Sequence, residues 1–167
     1  MNRIIRAAKP ADAEAIANVH VAGWRWAYDS LMPEKLLDGL SIQDRTQNWQ
    51  RQLNAPETAV FVGDAAGDIL GFISCGPSRD ADGHGEVYAM YLRQDVQGTG
   101  LGAGLWREAR DWLARQGFAN VKVWVLDTNV LARGFYERSG LELDGGTRSS
   151  EWAGAKLNEV SYLGPLT

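Results

Sequence analysis

At 167 residues the chain has the length of one ordinary domain, so we expect a single domain over 1–167, too short for a two-domain dehydrogenase. Its composition, 45% hydrophobic and 23% charged, excludes a disordered or fibrous chain, and a formal charge of −4 leaves no basic footprint for nucleic acid. The lone Cys75 permits no intrachain disulfide, the N-terminal stretch has no signal-peptide core and no run is long enough to span a membrane, so a cytoplasmic location is expected.

In chain order, "RIIRAA" (3–8) reads as a short strand. Pro10 and the stretch to Tyr28 then read as a helix, with Asp12 and Glu14 near its positive end and Ile16, Val19, Gly23 and Trp26 at helical spacing. His20, Trp24 and Tyr28, four residues apart, give a neighbouring stripe an aromatic character. "PEKLLDGL" (33–40) and "SIQDRTQNWQRQL" (41–53) read as further helical pieces, the second with Ser41 and Asp44 at cap spacing. "TAVFVG" and "ILGFISCG" are β-prone runs joined by the turn-rich "DAAGD", and "EVYAMYL" (86–92) is the next strand. Past a glycine-rich loop, Leu101, Leu105, Ala109, Trp112 and Leu113 mark the apolar face of a helix. "VKVWVL" follows as a strand, "NVLARGFYERSG" as a helix, and "LELDGG" and "LNEVSYL" as two late strands. The pattern predicts a mixed α/β sheet with helices on its faces.

Gly98-Thr99-Gly100-Leu101-Gly102-Ala103 spells G-x-G-x-x-A, a variant of the dinucleotide fingerprint, after a strand and before a helix. The polar spacer "RQDVQ" separates strand from glycines, whereas the fingerprint sets its first glycine at the strand end, and too little chain remains for a doubly wound sheet. A nicotinamide or flavin oxidoreductase is thereby the weaker reading. Four glycines in seven residues at a helix start fit a loop whose amides cradle a phosphate.

"QGTGLG", as Gln97-x-x-Gly100-x-Gly102, resembles the acetyl-CoA pyrophosphate loop of the GNAT superfamily of N-acetyltransferases. "NVLARGFYERSGL" resembles that family's second signature through Asn129, Ala132, Phe135, Tyr136 and Gly140. The resemblance covers essentially the whole chain and implies a three-layer fold, its central, mostly antiparallel sheet flanked by helices. The family often carries Pro where Gln94 stands and a basic side chain at Gly98 or Thr99; here the cofactor's pyrophosphate would rest on backbone amides of Gln97 to Ala103 and the helix dipole. The resemblance also implies an acetyl-CoA cosubstrate, a cleft beside the strand and a homodimer.

Acetyl transfer to an amine needs a deprotonated nucleophile, a polarised carbonyl and a proton for the leaving thiolate. Glu86, at the start of the strand next to the loop, is the candidate base, against a reading as a solvated strand-start carboxylate; Trp124, where some relatives place theirs, cannot take a proton. By resemblance Tyr136 is the candidate acid, the backbone at Met90, Tyr91 and Leu92 polarises the carbonyl and pairs the pantetheine, and Asn129 bonds the cofactor arm as well as capping a helix. Trp24 and Tyr28 are candidate acceptor contacts, with core packing as the competing role. Asp80, Asp82 and His84 alternate as in a calcium loop, but Tyr91 stands where the loop needs its Glu, and His20, His84 and Cys75 give no zinc spacing, so no metal is assigned. The acceptor is left open among small-molecule, peptide and protein amines; the acidic balance suits a cationic amine such as a polyamine without locating a site. A CoA-binding module without turnover is the alternative from another class.

Overall fold

The computed structural model describes residues 2–29, 34, 39, 41–152 and 154–167. Strand β1 (Ile4–Ala7) leads through a 3-10 turn at Pro10–Asp12 into α1 (Ala13–Tyr28), and α2 (Ile42–Leu53) follows. Then come β2 (Ala59–Ala65), β3 (Asp68–Pro77), β4 (Gly85–Leu92), α3 (Leu101–Arg115), β5 (Asn120–Leu126), α4 (Val130–Arg138), β6 (Glu142–Trp152) and β7 (Ala155–Pro165). The helical piece expected at 33–40 lies outside the described residues except for Glu34 and Gly39.

The strands form one sheet in the order β1-β2-β3-β4-β5-β7-β6, antiparallel everywhere except between β4 and β5. Alternation along β2 divides the core: Val60 and Val62 pack with Ile16, Val19 and Trp49 from α1 and α2, while Phe61 joins Leu101, Leu105, Ala109 and Leu113 from α3 on the other face. Helices thus cover both faces, as the pattern predicts. In α1, Ile16, Val19 and Gly23 are buried as expected, but Trp26 is 44% exposed. The buried face centres on the line through His20 and Trp24, and Trp26 stands roughly 160° round the helix from Trp24 at about 100° per residue.

Local devices fix the connections. The β2–β3 hairpin turns at Ala66 and Gly67, both at positive φ (55° and 94°), as a two-residue turn between right-twisted strands requires. Ser41 Oγ accepts from Asp44 N at 3.2 Å and caps α2. Arg6 reaches Asp64 Oδ2 and Asp12 Oδ2, both at 2.8 Å, tying β1 to β2 and to the turn before α1. Its hydrogen bonds hold both carboxyls below their usual range, and Asp12 also accepts from Lys9 N. Among the described residues no helix is long and apolar enough to cross a membrane.

Candidate active site

Two features of the sheet open a path through it. Strand β4 pairs with β5 only over Gly85–Val87 against Val121–Val123, so from Tyr88 onward its outward backbone groups face a gap. On its other side β4 carries a bulge: Ser74 of β3 pairs with Ala89 and Cys75 with Val87, which leaves Tyr88 as the extra residue.

The glycine loop lies at the far end of β4. Gly98 and Gly100 take φ of 70° and 86°, a left-handed conformation that side chains adopt only under strain, and Gly100 is the N-cap of α3. The first helical bond over this cap runs from Gly104 N to Gly100 O at 3.1 Å, leaving the amides of Leu101, Gly102 and Ala103 as unpaired donors at the positive helix end. The Leu101 side chain is buried in the core, so that residue offers only its backbone to a ligand. Gln97 is exposed, its Nε2 3.4 Å from Leu92 O. Thr99 Oγ1 donates to Val96 O at 2.6 Å and accepts from Arg3 Nη1 at 2.7 Å, and Arg3 also donates to Thr99 O. A basic side chain therefore does meet the loop, delivered by the N-terminal segment rather than by the motif.

On the α1 and α2 face of the gap lies an open cleft of about 610 Å³. It is lined by His20, Trp24, Tyr28 and Trp49 from the helices and by Trp124, Arg148, Leu157 and Glu159 from the sheet. Ser74, Tyr88, Met90 and Tyr91 of the sheet also line it, as do Asn129 and Tyr136. Trp24, Tyr28, Met90, Tyr91, Asn129 and Tyr136, picked out separately along the sequence, thus meet in one place. Leu92 packs against Gly71 and Gly102 and does not line the cleft.

Phenols dominate the chemistry. Tyr28 is within hydrogen-bonding reach of Tyr91 and Asn129; burial raises its pKa and these two bonds oppose the rise. Burial, then the nearby Tyr28, push Tyr91 and Tyr136 upward as well, so all three hydroxyls keep their protons at neutral pH. Tyr136 sits among Trp106, Phe135 and Tyr162, with ring centroids 5.5, 5.6 and 6.4 Å away. Asn129 Oδ1 accepts from Ala132 N at 3.2 Å, capping α4 while facing the cleft. His20 Nδ1 accepts from Trp49 Nε1 at 3.2 Å, and burial, with the Arg45 charge second, lowers its pKa to about 4. The imidazole is neutral, its proton on Nε2.

Glu86 is placed otherwise than expected. It is neither solvated nor on the cleft surface: its side chain is 1% exposed and held by Arg79. Oε2 accepts from Arg79 N at 2.9 Å and Nε at 3.3 Å, and Oε1 from Nη2 at 2.8 Å. The carboxylate that does line the cleft is Glu159, opposite Leu126 in the β5–β7 pairing, with Arg148 Nη2 at 3.1 Å from its Oε2. Asp80 and Asp82 face Lys122 at 3.2 and 3.0 Å, and Asp80 also accepts from Trp124 Nε1 at 2.9 Å.

The unpaired edge of β4, the α3 N-terminus and a cleft of protonated phenols thus occur together in a mostly antiparallel sheet with helices on both faces. The Acetyltransferase (GNAT) family model matches residues 14–141, and the chain belongs to that family of acetyltransferases. The uncharacterized N-acetyltransferase YuaI of Bacillus subtilis is 34% identical over 96% of this chain and 92% of its own length. The probable N-acetyltransferase Rv2775 of Mycobacterium tuberculosis is 26% identical over 95% and 91%. The PaiA N-acetyltransferase of Thermoplasma acidophilum, solved in complex with coenzyme A, shares the fold at a TM-score of 0.76 and 18% identity, covering 99% of both chains.

Proposed function

We propose that the protein transfers the acetyl group of acetyl-CoA to a primary amine by direct attack, with Tyr136 as the acid. The observation that supports this reading is that Met90 and Tyr91, on the stretch of β4 left unpaired by β5, line the same cleft as Tyr28, Asn129 and Tyr136. Bound acetyl-CoA supplies the thioester. The amides of Leu101, Gly102 and Ala103 hold its pyrophosphate, the free edge of β4 at Met90 to Leu92 pairs with its arm, and Asn129 bonds that arm. An amide on this edge polarises the carbonyl. The amine's lone pair forms the new C–N bond, the C–S bond breaks, the Tyr136 hydroxyl gives its proton to the departing sulfur, and the proton the nitrogen sheds as it becomes an amide returns to the Tyr136 oxygen.

A protonated amine must first lose a proton, and Glu159 receives it through water, since this is the carboxylate on the cleft surface. Cys75 supports no covalent acetyl-enzyme: it is fully buried and burial pushes its thiol up to about 12. The test is CoA release from acetyl-CoA over a panel of small and peptide amines, with the acetylated product identified by mass spectrometry. Product formation that depends on both substrates is the expected result. Stabilisation by CoA without acetylation of any amine would leave a binding module and end the enzymatic reading.

A further inference from the structure

Ser74, in the middle of the sheet, lines the cleft and is 2% exposed, yet its Oγ has no hydrogen-bond partner among the described residues. A buried hydroxyl in a well-packed sheet normally finds a partner, so this one is set for something that enters the cleft. Arg79, which also lines the cleft, is unusually well fixed for a side chain 56% exposed. The buried Glu86 holds its Nε and Nη2 from behind, and the guanidinium carbon lies 5.0 Å from the centroid of the Tyr88 ring. Tyr88 is the bulge residue next to Ala89, the β4 partner of Ser74, and its hydroxyl donates to Pro77 O at 2.5 Å. Nη1 is left pointing away from Glu86, a free prong of a fork that suits carboxylate geometry.

We infer that Ser74 and Arg79 form a subsite for a carboxylate on the acceptor, with Glu86 as the residue that positions Arg79. The inference rests on the acetyl-transfer reading and names its acceptor class: an α-amino acid with an apolar side chain. Both groups offer donors, which selects an oxyanion. Among the charged side chains lining the cleft two are arginines, Arg79 and Arg148, and the one carboxylate, Glu159, is already paired with Arg148. A second ammonium group, as in a polyamine, would meet cations there, whereas a carboxylate would meet a prepared guanidinium. Trp24, Tyr28, Trp49 and Trp124, which line the cleft, supply apolar surface for the rest of the molecule.

The experiment compares three matched pairs: L-leucine with isopentylamine, L-phenylalanine with phenethylamine, and L-methionine with 3-(methylthio)propylamine. For the wild type kcat/KM of each acid is expected to exceed that of its decarboxylated partner by about 30-fold or more. Removing Arg79 alone leaves Glu86 buried and unpaired, so the variant used is Arg79→Gln combined with Glu86→Gln, which keeps a neutral hydrogen-bonded pair. The acid-to-amine ratio should then collapse to near one, and Ser74→Ala should raise KM for the acids about tenfold with little change in kcat. Glu86→Gln alone should erode the same ratio through KM, which a merely structural role would not do selectively. Equal turnover of acids and amines by the wild type, or a parallel loss on both in the double variant, overturns the inference and leaves acetyl transfer standing. Failure of every amine, acid or not, overturns both.

Discussion

Replacing Tyr136 by phenylalanine removes one oxygen from the junction of the gap and the cleft. The hydroxyl makes no hydrogen bond with the described residues, while the ring packs on Trp106, Phe135 and Tyr162 and would remain. Losing a hydroxyl that holds no protein partner should change folding stability by no more than about 1 kcal/mol, or about 2–4 °C in Tm for a chain of this size. The kinetic effect should be much larger. A thiol with a pKa near 8.5 is a moderate leaving group, which puts the benefit of a proton donor toward the lower end of the range for acid catalysis, about 100-fold in kcat or about 2.7 kcal/mol.

The assay is continuous detection of released CoA with a thiol reagent, run beside thermal melts. The effect should appear in kcat, leave KM for acetyl-CoA nearly unchanged, and shrink as pH rises through about 8.5, where the free thiolate is the stable form. Two results would refute the reasoning. Retention of more than a third of wild-type kcat would show that no proton is needed from this position. A Tm drop large enough to account for the lost activity would make the hydroxyl structural.

Glu159→Gln should lower kcat by about 100-fold for acceptors protonated at the assay pH, and activity that survives would remove Glu159 as proton acceptor. In Gly100→Ala the added Cβ meets nothing within 4 Å, so the cost is the backbone at φ 86°, about 1–2 kcal/mol, read as a lower Tm together with weaker CoA binding; an unchanged melt and an unchanged Kd would count against the loop assignment. His20 is neutral in the fold with a pKa lowered to about 4, so its contribution to stability is complete above its ordinary value near 6.5 and drains away as pH falls toward 4. The carboxyls of Asp12 and Asp64 are lowered by Arg6 and lose their contribution only below the ordinary range, so the window from 6.5 to 4.5 reports on His20; His20→Gln should flatten the Tm decline there, and an equal decline in the variant would assign it elsewhere. Cys75 should resist thiol reagents at pH 8 in the native protein and react at one equivalent in denaturant, and native labelling would contradict its burial.

The elements carried by local signals were legible in the sequence. Pro10, Ser41 and Asn129 mark helix starts where the structure has them, and of the α3 stripe Leu101, Leu105, Ala109 and Leu113 are buried while Trp112 is half-buried. The late strands were underread. "LELDGG" announces only the first half of β6, which bulges between Leu143 and Thr147, where Gly145 takes φ 87°, and resumes as Thr147 to Trp152 against β7. That second half alternates no apolar residues, because its ladder is held by backbone pairing with a long partner strand rather than by a buried face, and a period-two search has nothing to detect.

The same distinction separates the two halves of the candidate site. The proposed donor side draws on three contiguous stretches, 90–92, 97–103 and 129–136, and in the last two glycine conformation, an Asn cap and a phenol are each dictated by neighbours in sequence. The acceptor side is assembled from α1, α2, β3, β4, β5, β6 and β7, and apart from the His20, Trp24 and Tyr28 stripe of α1 no single stretch carries a signal for it. Glu86 shows the consequence. From sequence it is a carboxylate at a strand start; in the fold it is the buried counter-ion of Arg79, seven residues earlier across the loop before β4. Charge alone could not reveal that partnership, because the pair cancels in the net charge, and periodicity could not, because Gly85, Glu86 and Val87 are all buried and no alternation marks Glu86. What it creates is an arginine held by a buried carboxylate and lining the same cleft as the Ser74 hydroxyl, and the proposed carboxylate subsite requires both members to keep their places.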